Sequence, residues 1–114
     1  MHEKSQKQDF EGSGFDMLLL IGILCPISTP VSIKILKGLK NHLHPDAVTV
    51  FSTVQTIMGE EDPLTDYIMR LLGWSMDYKS DHEPYEIARA AGMEPIGRFF
   101  DEFGYNCMTV ARLK

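Results

Sequence analysis

The sequence predicts an α/β domain: a mixed four-stranded sheet with about three helices. Three observations predict it. Met17 to Leu24 is an apolar run without alternation, the pattern of a strand covered on both faces in a parallel sheet. A helix-spaced stretch and a β-branched run follow within about 40 residues, giving strand, helix, strand with a right-handed crossover. The chain closes with two strand-like segments joined through Phe103-Gly104, a connection short enough only for an antiparallel hairpin.

The elements follow in order. Residues 1–14 hold Phe10 as their large apolar side chain beyond Met1 and end in Gly12-Ser13-Gly14, so a loose lead segment is expected, with the domain proper over 15–114. Phe15-Asp16 opens the first strand. Thr29-Pro30 supplies an N-cap and a proline for the first helical turn. Val31, Ile35, Leu36, Leu39 and Leu43 recur at helical spacing, with Lys34, Lys37 and Lys40 on a solvated face. His44-Pro45 ends that helix, because the residue before proline is pushed out of the α region. Ala47 to Val54 reads as the second strand. Asp62-Pro63 starts a second helix whose stripe is Leu64, Ile68, Leu71 and Leu72, ended by Gly73. Ser80 and Glu83 have capping-box spacing for a third, running to Gly92. Ile96–Glu102 and Tyr105–Leu113 are the closing strands.

Composition excludes several classes. At 114 residues there is one domain, with 44% apolar and 24% charged residues. A net charge of −5 argues against phosphate-backbone binding, so no nucleic-acid partner is expected. The longest apolar run, Met17 to Ile27, has 11 residues, while a membrane span needs about 20. The lead before it is acidic where a secretory signal needs a positive start. The expectation is a soluble, cytoplasmic protein with no membrane partner, whose Cys25 and Cys107 are buried, reduced thiols.

In this order the elements resemble the C-terminal half of a class I S-adenosylmethionine-dependent methyltransferase. Phe15-Asp16 with the run to Leu24 is similar to the fourth strand of that Rossmann-like fold. Ile35 to Pro45 is similar to the next helix with its closing Leu-x-Pro, and Ser80 to Glu83 through Ala91-Gly92-Met93 to the last helix. The closing hairpin fits the sixth and seventh strands. The resemblance implies a sheet in the order fourth, fifth, seventh, sixth of the family. The small-molecule O-methyltransferases look nearest. Their Leu-His-x-Trp-type segment becomes Leu24-Cys25-Pro26-Ile27 here, so a histidine base is missing and no catalytic residue is assigned. The Asn/Asp-Pro-Pro-Tyr/Phe motif of base-modifying relatives is absent, and Pro45-Asp46-Ala47 stands where Pro-Gly-Gly is usual. The family's Gly-rich turn after a first strand, and the acid that holds the cofactor ribose, are absent too. Gly12 and Gly14 precede a strand, the reverse of the order that cradles a nucleotide.

By resemblance, Leu24 and Cys25 would sit near S-adenosylmethionine and Gln55 near the substrate. Tyr67, Trp74 and Tyr78 fall in a region that often covers the substrate, where aromatic residues could wall an apolar pocket or pack the helix onto the sheet. His42, His44 and Asp46 look like metal ligands but lie at a helix C-terminus, where histidine serves the dipole, so no metal is expected. Cys25 has no base beside it in sequence to make it a nucleophile. Residues 60–86 hold eight acids against Arg70 and Lys79, a surface that repels anions.

The expected function is therefore part of a methyltransferase acting on a small molecule, inactive as this chain alone because the cofactor half is missing. The alternative is a non-enzymatic interaction or dimerisation module with a truncated methyltransferase fold. Either way the open edge of the Met17–Leu24 strand predicts self-association or a partner that supplies the missing half.

Overall fold

The computed structural model describes residues 14–113; the expected lead over 1–14 falls, apart from Gly14, outside the described residues. β1 (Phe15–Leu20) leads to α1 (Thr29–Lys40) and β2 (Leu43–Val54). Then come α2 (Thr56–Glu61), α3 (Pro63–Leu71), α4 (Glu83–Ala90), β3 (Met93–Phe100) and β4 (Asn106–Leu113). The sheet order is β1-β2-β4-β3, with β1 and β2 parallel and the other pairs antiparallel. This is the mixed sheet that the sequence predicts, in the strand order that the resemblance implies.

The core lies on one face of this sheet. Leu36 of α1 and Ile87 and Ala88 of α4 pack with Leu20, Phe51, Met93 and Ala111 from the four strands, and all are buried. Burying a side chain the size of Phe51 or Leu36 stabilises the fold by about 1.5–3 kcal/mol each.

Several boundaries differ from expectation. β1 stops at Leu20, and residues 21–28 turn away, with Gly22 at φ 76°. Nor is β1 covered on both faces: Leu20 is buried, while Met17 is 58% and Leu19 55% exposed. α1 begins after Ser28 and ends at Lys40, where the His42 N–H donates to the Leu39 carbonyl. His44 and Pro45 belong to β2 instead. They lie beyond its ladder with β4, where a missing N–H costs nothing. Among the described residues there are four helices, α2 being the addition. The apolar stripe of α3 does not pack: Leu64, Ile68, Leu71 and Leu72 are all exposed. Asp62 does cap α3, its carboxylate accepting from the Thr65 N–H (3.2 Å) and hydroxyl (2.7 Å). The cap of the last helix is His82, two residues after the expected Ser80. Glu83 keeps half of a capping box, accepting from the Ser80 N–H at 3.1 Å. The hairpin turn spans 101–105 and is held by the Asp101 carboxylate, which accepts from the Tyr105 N–H at 2.8 Å.

Candidate functional site

The parallel strands β1 and β2 end at Leu20 and Val54, and ligands of open α/β sheets sit beyond such ends. Two irregular segments meet there: the loop 21–28 after β1 and the stretch 72–80 before α4. Three tethers join them to the sheet and to each other. The Gly22 N–H donates to the Ser52 hydroxyl at 2.7 Å. The Asp77 N–H donates to the Cys25 carbonyl at 2.9 Å, and the Lys79 N–H to the Val54 carbonyl at 2.8 Å.

A fourth tether is the Lys79 side chain, which is fully buried. Its ammonium donates to the Ile27 carbonyl (2.8 Å), the Asp77 carbonyl (3.0 Å) and Asp77 Oδ1 (2.5 Å). A buried ammonium is tolerated only when its protons are paired, and all three are. Lys79 thus pins the β1 loop to the 72–80 stretch. Sequence reading missed it, because Ile27 lies 52 positions away. The one local signal was a lysine inside an acidic stretch.

Between the two segments opens a cavity of about 600 Å³, lined by Gly22, Cys25, Pro26, Met69, Trp74 and Met76 among others. The structure therefore brings two of the predicted site residues together, Cys25 and Trp74, and adds the two methionines. The rest lie elsewhere. Leu24 is wholly buried in the core below the loop. Gln55 is also wholly buried: its amide accepts from the Thr53 hydroxyl (2.7 Å) and donates to the Ser80 carbonyl (3.0 Å) and Asp81 Oδ1 (3.2 Å). Tyr67 is 60% exposed on α3. The Tyr78 hydroxyl donates to Asp66 Oδ1 at 2.5 Å.

Electrostatics decide what these groups can do. Burial pushes the Cys25 thiol up, against the Ser52 hydrogen bond and the Lys79 charge, so it stays protonated and is no nucleophile. Burial and the Asp66 carboxylate hold the Tyr78 phenol up at about 12, which keeps it a donor. Among the described residues no group of three or more His, Cys, Asp or Glu is placed to hold a metal ion. Nor is any described helix long and apolar enough to cross a membrane.

S-adenosylmethionine, the cofactor implied by the resemblance, does not fit these residues by themselves. The turn after β1 carries one glycine, Gly22, and the nearby carboxylate of Asp77 is already taken by Lys79. The cavity offers an apolar wall with no acid free to hold a ribose.

No protein-family model and no curated protein matches the chain. Solved structures do. A DUF574 family protein from Streptomyces avermitilis superposes with a TM-score of 0.70 at 16% identity, over 86% of this chain and 44% of its own. The pyocyanin biosynthetic protein PhzM gives 0.68 at 16% identity, over 90% and 31%. LepI, solved in complex with SAM, gives 0.66 at 21% identity, over 89% and 27%. The chain spans between 27 and 44% of the length of these proteins. At such identities the likeness establishes the α/β fold.

Proposed function

We propose that this chain is the C-terminal part of an S-adenosylmethionine-dependent methyltransferase acting on a small molecule, and that it supplies the wall of the acceptor site and not the cofactor site. The observation that carries this reading is the cavity at the carboxyl ends of β1 and β2, walled by Cys25, Pro26, Met69 and Trp74. It lies beyond the carboxyl ends of the parallel strands, where ligands of such sheets sit, in a fold shared with LepI, whose structure was solved in complex with SAM. An apolar wall with few polar groups suits an uncharged acceptor.

In this reading the residues position and exclude water. Trp74 and the methionines hold the acceptor, and Lys79 keeps the β1 loop against the 72–80 stretch so that the wall has one shape. The transfer itself is an in-line displacement in which positioning supplies most of the rate.

Isothermal titration with S-adenosylmethionine tests the division of labour. The 114-residue chain is expected to give no saturable heat in the micromolar range. Joined to an upstream segment carrying a strand and a Gly-x-Gly-x-Gly turn, it is expected to bind one equivalent. In that longer protein Trp74→Ala weakens acceptor turnover and leaves cofactor binding intact. A one-site isotherm from the chain alone overturns the reading.

The second reading, an interaction module, is favoured by a different observation: the sheet face opposite the core carries an apolar surface.

A further inference from the structure

Ser52 stands where β1 leaves the sheet. Leu20 and Phe51 are the last pair of the β1–β2 ladder, and Ser52 is the next residue of β2. A longer β1 would continue beside it. The chain turns instead, with Gly22 at φ 76°, a left-handed conformation that glycine takes at no steric cost. The N–H of Gly22 then finds its acceptor in a side chain, the Ser52 hydroxyl, at 2.7 Å. A hydroxyl that accepts one bond can still donate its own proton, and the Cys25 thiol is its second partner. Ser52 is 6% exposed, so water competes little for either bond.

We infer that Ser52 is a positioning residue of the acceptor cavity: its one hydroxyl ends β1, sets the turn at Gly22 and fixes Cys25 in the wall. Gly22 and Cys25 both line the cavity, and Ser52 holds them from the strand behind. That strand is a firm base, because β2 is paired with β1 on one side and with β4 on the other, where Ser52 faces Met108. Packing does not hold the turn. A Cβ placed on Gly22 would meet no atom of the described residues within 4 Å, so the position is open and the hydrogen bond sets its place.

Ser52 and Lys79 divide the work. Lys79 holds the far end of the loop through the Ile27 carbonyl, and Ser52 holds the near end through Gly22 and Cys25. The Asp77 N–H takes the Cys25 carbonyl between them. With Ser52 removed, the near end can swing about Gly22 while Ile27 stays anchored, and the cavity loses its defined shape on that side. The part of Ser52 in acceptor binding rests on the methyl-transfer reading, whereas the pin itself rests on these distances alone.

Two measurements on the 114-residue chain test the two parts separately. The first is the rate of Cys25 labelling by Ellman's reagent, mapped by mass spectrometry to distinguish it from Cys107. Ser52→Ala is expected to label roughly tenfold faster than the native chain, the opening that one lost hydrogen bond permits. Ser52→Thr keeps the hydroxyl and is expected to restore the native rate. Thr53→Ala removes the neighbouring buried hydroxyl, which donates to Gln55 away from the wall, and is expected to label at the native rate while it lowers global stability. The second measurement uses Trp74, the one tryptophan of the chain, which lines the cavity. Quenching of its fluorescence by para-nitroanisole, an uncharged aryl ether, is expected to saturate in the native chain and in Ser52→Thr, with a dissociation constant roughly tenfold higher in Ser52→Ala. Labelling of Ser52→Ala at the native rate overturns the inference. So does equal acceleration in Thr53→Ala, which makes the effect one of global stability, and so does a Ser52→Thr variant that labels as fast as Ser52→Ala. Labelling as expected with no saturable quenching of the native chain upholds the pin and overturns the acceptor reading.

Discussion

The two faces of β2 repay comparison. Thr49, Phe51 and Thr53 point toward α1 and α4 and are at most 1% exposed. Val48 and Val50 point the other way and are half-buried with no helix residue against them in the core cluster. The polar threonines are inside and the valines outside, the reverse of a one-sided sheet that meets water. A strand written this way expects cover on both sides. The helix layer supplies one cover from within the chain, and the second has to come from elsewhere.

The sharpest test contrasts neighbours on that strand. Phe51→Ala is expected to cost about 3–5 kcal/mol by leaving a cavity among Leu36, Ile87 and Met93. Val50→Thr, measured by urea unfolding, is expected to cost less than about 1 kcal/mol. Equal costs would mean that the outer face is covered within one copy.

Lys79→Met comes next, at about 2 kcal/mol. The Ile27 and Asp77 carbonyls lose their donor, while Asp77, 42% exposed, recovers part of its loss from water. The same variant should expose Cys25, and labelling by Ellman's reagent should speed up. Unchanged labelling would show that the loop holds its place without the ammonium.

Gly92→Ala is expected to lower the urea midpoint by an amount equivalent to about 1 kcal/mol. Gly92 ends α4 at φ 85°, a left-handed conformation that strains any Cβ, and a Cβ there would also displace the Lys40 side chain.

The smallest effect is one of pH. Burial would raise the Glu83 carboxyl, but the Thr29 hydroxyl at 2.8 Å, the Ser80 N–H and the Lys79 charge outweigh it and hold it below its ordinary value of 4.5. A depressed folded-state value means that this stability is present above about pH 4.5 and is lost as pH falls through the folded-state value. Urea midpoints followed from pH 6 to 3 should decline less steeply in Glu83→Gln. Parallel declines would remove Glu83 from the account.

The sequence carried the topology because topology is written in runs. The apolar stretch from Met17, the β-branched stretch to Val54 and the closing hairpin give the strands and the parallel and antiparallel pairs, while the place of β4 beside β2 came from the family resemblance. Boundaries were harder, since they depend on contacts. α1 ends at Lys40 because the chain must return at Leu43 to run beside Phe15, and Pro45 is a weaker signal than that pairing. α2 has six residues with Gly59 among them, too short to show a stripe. β1 reads as doubly covered, and its residues are consistent with that; what they cannot say is which chain does the covering. Of the six candidate site residues, two lie at the cavity. Cys25 and Trp74 line the cavity, but Leu24 and Gln55 are buried by packing and hydrogen bonds that no local pattern announces.

Lys79 also bears on the order in which the molecule assembles. Its link to Ile27 closes a loop of 52 positions, and such contacts gain nothing until the intervening α1, β2, α2 and α3 are in place. The cavity wall is thus expected to form late, after β1 and β2 have paired. Stopped-flow measurements on Lys79→Met should find the refolding limb of the chevron almost unmoved and the unfolding limb faster, with nearly all of the lost stability on the unfolding side. The corner where a ligand would bind is then the first to open when the native protein begins to come apart.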